Sequence, residues 1–165
     1  MFNIGDKVVY PRYGAGIIEA IEEKEILGGK CKYYVLRIPL GDMRVMVPIE
    51  NIEAYGIRSI IPFDKVEEVF SILSSGPSNM NRNWSKRYRE NEVKIRHGDI
   101  FEIAEIVKNL TIADRDKKLS TGEKRMLETA RQILISELML VLNKSMEKVE
   151  EVTESLIKHS HKAEI

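Results

Sequence analysis

Residues 7–47 read KVVYPRYGAGIIEAIEEKEILGGKCKYYVLRIPLGDMRVMV, and this stretch decides the architecture of the first part of the chain. Its apolar residues recur as short β-branched and aromatic runs: Val8-Val9-Tyr10, Ile17-Ile18 to Ile21, Tyr33 to Ile38 and Val45 to Val47. Side chains branched at Cβ pack well on a pleated, half-buried surface, so the runs are read as strands. Gly14 and Gly16, Gly28-Gly29, and Pro39 with Gly41-Asp42 separate them. These are turn signals at the spacing of a small antiparallel meander. The expectation is about five strands between Asp6 and about Glu53, closed or nearly closed, because closure limits the exposed edges of so small a sheet.

After Pro62 the apolar period changes. Asp64 is read as the cap of a short helix carrying Val66, Val69, Phe70 and Leu73, stopped by Ser74-Ser75-Gly76-Pro77. A polar, turn-rich linker, Gly76 to Asn83, leads to a helix over Trp84 to His97 that Gly98 ends. Asp99 with Glu102 has the capping-box pattern for a third helix, Ile100 to about Arg115, and Ser120 with Glu123 repeats it for a fourth. The stripe Leu127, Ala130, Leu134, Leu138 and Val141 makes that fourth helix core-facing. From Asn143 to Ile165 a weaker run, Met146, Val149, Val152 and Leu156, either extends this helix or frays. The chain is therefore expected to form two domains: an all-β SH3/Tudor-like small barrel over 1–60 and an all-α helical domain over 61–165.

Composition narrows the function classes. With 43% hydrophobic and 32% charged residues the chain has a globular balance. MFNIGDKVVY has no basic start with a long apolar run behind it, and no later stretch approaches the ~18 residues of a membrane span, so a cytoplasmic location is expected. Cys31 is the only cysteine and can form neither an internal disulfide nor a thiolate metal cluster. Formal net charge is zero, against indiscriminate coating of nucleic acid. Its distribution is uneven: residues 1–75 hold 9 Lys/Arg and 11 Asp/Glu, whereas 76–130 hold 12 and 9. A polyanion would meet the second half.

Catalysis has no constellation behind it. There is no GxxxxGK[ST] loop and no GxGxxG after a strand. His97 stands at a helix end, and His159 with His161 near the C-terminus, none beside a carboxylate or cysteine on a firm scaffold. The expectation is a non-enzyme with no cofactor, no metal and no small-molecule substrate.

One stretch carries a signal. Arg82-Asn83-Trp84-Ser85-Lys86-Arg87-Tyr88-Arg89 places the only tryptophan at a helix start among four cations. Cations neutralise phosphates and set register on a duplex, and a rigid aromatic can stack on bases or wedge between them. A helix N-terminus adds N–H groups aimed at an anion. The competing reading is that Trp84 and Tyr88, four apart, cover the helical bundle while the cations point to water.

The residues Ile4-Gly5-Asp6-Lys7-Val8-Val9-Tyr10-Pro11 with Gly14-x-Gly16, Val47-Pro48-Ile49-Glu50-Asn51, Asn83-Trp84-Ser85-Lys86-Arg87-Tyr88, Gly98-Asp99, Ala104 to Leu110, and Leu119 to Leu127 resemble the CarD/CdnL family of bacterial RNA polymerase-binding factors. The likeness runs from residue 2 to about 142. It implies that the barrel docks on the RNA polymerase β subunit by adding strand to strand, at Arg44, Val45, Met46 and Val47, with Lys24 on a neighbouring strand. A position where relatives carry Arg is Met46 here, and Arg44, two residues away on the same strand face, is placed to supply the cation. The resemblance further implies that Trp84 enters the minor groove of promoter DNA at the upstream edge of the melted region and stabilises the open complex. Lys86, Arg87 and Arg89 would hold phosphates there, with Lys124 and Arg125 extending the basic surface. A different class, a KOW- or Tudor-like module for RNA or a ribosomal partner, would use an aromatic barrel face that Tyr10, Tyr13, Tyr33 and Tyr34 offer.

Overall fold

The computed structural model describes residues 1–78 and 80–163, and of 160–163 the backbone alone. The runs marked by β-branched residues become β1 (Lys7–Tyr10), β2 (Gly14–Ile26), β3 (Gly29–Ile38) and β4 (Met43–Pro48). A fifth strand, β5 (Arg58–Ser59), lies beyond the stretch that periodicity marked. All pair antiparallel in the order β4-β3-β2-β1-β5. Of the closed or nearly closed barrel expected, the closed form is not made: β4 and β5 are the outer strands, and among the described residues no ladder joins them. With two residues, both spent on Val8 and Val9 of β1, β5 has too little backbone to bridge the gap.

One face of the sheet buries Val8, Ile18, Tyr34, Leu36 and Val47 as a core of its own. The Tyr34 hydroxyl is satisfied there, donating to the Phe2 carbonyl at 3.1 Å and accepting from its N–H at 3.0 Å. Val9 and Ala15, pointing the other way, belong to the larger core built by the helices.

Those helices are α1 (Val66–Leu73), α2 (Trp84–His97), α3 (Ile100–Asp116), α4 (Thr121–Leu142) and α5 (Met146–Ala163). Asp64 does not cap α1; it sits in a separate 3-10 turn, Phe63–Lys65, and the helix begins without a side-chain cap. Each expected capping box is half made. Asp99 accepts from the Phe101 N–H at 2.8 Å and Ser120 Oγ from the Glu123 N–H at 3.2 Å, but neither glutamate returns the bond. Asn143 ends α4 in the left-handed region at φ 53, so the C-terminal residues form a helix of their own, which buries Val149, Thr153 and Ile157.

The two halves are joined tightly. The Ala15 N–H donates to Ser136 Oγ at 2.8 Å and Gln132 Nε2 to the Tyr13 carbonyl at 3.2 Å. Glu137, fully buried, accepts from Arg58 Nη1 and Nη2 at 2.8 and 2.7 Å and from the Ile61 N–H at 2.9 Å. Two glycines permit this approach: a Cβ on Gly14 would stand 2.7 Å from Ser136 Oγ, and one on Gly98 2.6 Å from Pro11 Cγ. Gly98 also closes α2 at φ 73, so the residue that ends the helix is the one that seats it on the β1–β2 turn.

Candidate nucleic-acid interface

Asn83 caps α2, its side-chain oxygen accepting from the N–H groups of Ser85 at 3.1 Å and Lys86 at 3.4 Å. That cap sets Trp84 in the first turn, where it leaves 57% of its surface exposed. Its ring meets Tyr88 edge to face, with centroids 6.4 Å apart. Tyr88 packs against the helical core and supports the indole from behind. The tryptophan is therefore held on one side and open on the other. Arg82, Lys86 and Arg89 are exposed around it.

Arg87 differs from its neighbours. Its Nε and Nη2 donate to Glu123 at 3.0 and 2.9 Å in a two-pronged pair, and the carboxylate side is almost fully buried. The guanidinium edge that would face a phosphate is occupied, so Arg87 acts first as a tie between α2 and the first turn of α4. Glu123 is the residue that sequence reading placed in a capping box. Its backbone N–H is capped as expected while its carboxylate serves α2. Exposed Arg125 lies on the α2 side, where Tyr88, Arg96, Arg125 and Thr129 line a groove of about 250 Å³ between the helices, and Lys124 beside it is exposed.

On the sheet, β4 has an unpaired outer edge. Arg44 and Met46 point out on one face, whereas Val45 is half-buried and Val47 lies in the core, so Val47 offers a partner only its backbone. Arg44 is exposed and leans on Glu19 at 3.1 Å. Lys24 lies on β2, which β3 separates from β4, and is paired with Cys31, beyond the stretch of β3 that β4 covers. It is not on the strand next to β4. The tyrosines do not form one face either. Tyr34 is buried in the sheet core, while Tyr10 meets Tyr13 at 5.0 Å and Tyr55 at 6.1 Å near the junction of the halves. Arg12 lies 5.7 Å over the Tyr13 ring. Burial raises the Tyr10 pKa, the neighbouring tyrosines add to the rise, and Arg12 opposes it.

Among the described residues no cluster of three or more His, Cys, Asp or Glu is placed to hold a metal, and no helix is long and apolar enough to cross a membrane. The side chain of His161 lies outside the described residues.

Two family models match the chain. The one described as "CarD-like/TRCF RID domain" covers residues 2–61, and "CarD, C-terminal domain" covers 68–154. The chain belongs to the CarD/CdnL family. It is also 43% identical over 141 residues to the "Putative transcription factor YdeB" of Bacillus subtilis (strain 168), a match covering 86% of this chain and 92% of that one. CarD membership places the chain among transcription regulators and not in an enzyme family.

Proposed function

We propose that this CarD-family chain anchors on the RNA polymerase β subunit through its sheet half, 1–60, and engages promoter DNA through its helical half, 61–165. Trp84 enters the minor groove at the upstream edge of the transcription bubble and stabilises the open complex. The observation that carries this reading is the placement of Trp84: more than half exposed, backed by Tyr88, at a capped helix start, with exposed Lys86 and Arg89 beside it. A wedge of that kind favours DNA that is already unstacked, and so favours the open over the closed state. Lys124 and Arg125 hold phosphates with Lys86 and Arg89, and Arg87 orients them through Glu123. The unpaired edge of β4, with Arg44 and Met46 exposed, supports strand addition by the β subunit.

The test is the lifetime of polymerase open complexes on a linear promoter, with wild-type protein and with Trp84→Ala. Wild type is expected to lengthen the lifetime and Trp84→Ala to remove most of that gain while still binding polymerase. Equal lifetimes with the two proteins would refute the wedge.

A further inference from the structure

The surface beside Trp84 does not stop at the end of α2. The groove between α2 and α4 shares Ile95, Arg96 and Thr129 with a larger cleft of about 740 Å³, lined also by Tyr10, Tyr55, Arg12 and His97. The two concavities are therefore one track, from Tyr88, whose ring Trp84 meets, past Arg125 and Arg96 to Arg12 on the β1–β2 turn.

Charge along this track favours an anion. Arg12, Arg96 and Arg125 are exposed, and among the described residues none forms an ion pair. This contrasts with Arg58 and Arg87 close by, each tied to a glutamate in a two-pronged pair. Glu53 and Glu92 also line the track, which leaves it positive by one charge with His97 neutral. The spacing suits a duplex. Trp84 and Arg96 are twelve residues apart on one helix, about 18 Å at about 1.5 Å per residue, which spans about five base pairs at about 3.4 Å each.

We propose that the DNA phosphodiester backbone runs along this track, held by Arg125, Arg96 and Arg12, so that the sheet half contributes its own DNA contact. The proposal rests on the reading of Trp84 as the DNA-facing residue. Arg12 and Arg96 meet phosphate, and Tyr10 and Tyr55 pack against the sugars. Because the halves are tied through Glu137 and Gly98, Arg12 is held in fixed register with the wedge.

The experiment uses the full chain bound to polymerase on promoter DNA, comparing wild type, Arg12→Ala/Arg96→Ala, Arg12→Lys/Arg96→Lys and Trp84→Ala. The readouts are hydroxyl-radical protection and the dependence of promoter affinity on salt. The double alanine variant is expected to lose protection about five base pairs from the wedge and to flatten the log–log salt slope by between about one and two. The lysine variant is expected to restore the slope, which a purely structural role would not require. Thermal melting checks that the variants are folded, and both sites are exposed. An unchanged slope and footprint in the alanine variant, with Trp84→Ala still shortening open-complex lifetime, overturns the track and leaves the wedge reading standing. Weaker binding of the alanine variant to polymerase without DNA makes the surface a protein contact and also overturns it. No effect from either Trp84→Ala or the alanine variant removes both readings.

Discussion

Removing the Glu137 carboxylate should destabilise the whole chain and not the helical half alone. Glu137 has no exposed surface and accepts three hydrogen bonds, two from Arg58 and one from the Ile61 N–H. Breaking a buried ion pair by deleting one partner costs about 3 to 5 kcal/mol, and a stranded backbone N–H about 1 to 3. Arg58 keeps 27% of its side chain exposed, so water can reach its guanidinium and recover part of that loss. The net expectation for Glu137→Ala is about 3 to 4 kcal/mol. For a chain of this length that corresponds to a fall in Tm of about 6 to 16 °C. Glu137→Gln keeps the volume and one carbonyl acceptor and should lose about half as much. The assay is thermal unfolding at fixed protein concentration, followed both by Trp84 fluorescence and by far-ultraviolet circular dichroism. A Glu137→Ala protein melting within about 2 °C of wild type would show that the pair contributes little to holding the halves together.

Trp84→Ala should cost less than about 2 kcal/mol, since under half of the indole is buried, and Tm should fall only a few degrees. Arg87→Ala should behave oppositely to Arg89→Ala: loss of the Glu123 pair lowers Tm, and the exchange Arg87→Glu with Glu123→Arg recovers part of it, whereas Arg89→Ala leaves Tm unchanged and weakens promoter binding. The Glu105 pKa is lowered from its ordinary value, chiefly by the Ser78 hydroxyl bond, with burial opposing the shift and Lys108 adding to it. Its contribution is therefore present above the unfolded value of about 4.3 and is lost as pH falls through the lower folded value. Ser78→Ala should raise the Glu105 pKa, seen in an NMR titration, and shrink the stability lost on acidification. A fragment of residues 1–61 uncovers Val9 and Ala15 and should unfold at lower temperature than the full chain, while a folded fraction still binds the isolated β lobe at tens of micromolar; a folded fragment that fails to bind removes the polymerase anchor.

Local periodicity was enough to find four of the strands and the apolar stripe of α4 from Leu127 to Leu138, because each depends on neighbours a few residues away. Val141, read into that stripe, is half-buried and outside the helical core. The helix over Trp84–His97 was legible to the residue, with Gly98 as its stop signal; that Asn83, read as the last linker residue, caps it is shown by the fold. β5 was not, because two residues carry no period and are recruited by β1. The break at Asn143 has a local signal, an asparagine just after the last apolar position of a long helix. Long-range partners were invisible. Nothing near Glu123 or Glu137 says that one serves α2 and the other β5, because an acidic residue on a helix reads by default as solvated. In the candidate site, sequence allows Trp84 to be exposed or packed and the fold shows it exposed, and the contrast between paired Arg87 and exposed Arg89 comes only from the carboxylate across from one of them.

The bond between Ala15 and Ser136 has a consequence for synthesis. It spans 121 residues, and the apolar face it covers is made early while its cover is made late. A ribosome adding about 5 to 20 residues per second needs roughly 6 to 24 s to go from one partner to the other. From the end of β4 at Pro48 the wait is roughly 4 to 18 s, and over it Val9 and Ala15 lack their cover on a sheet whose outer strand edges are also unpaired. The second half of the chain thus serves as the intramolecular escort of the first, and a message truncated before codon 136 would yield a sheet prone to pair with its own copies.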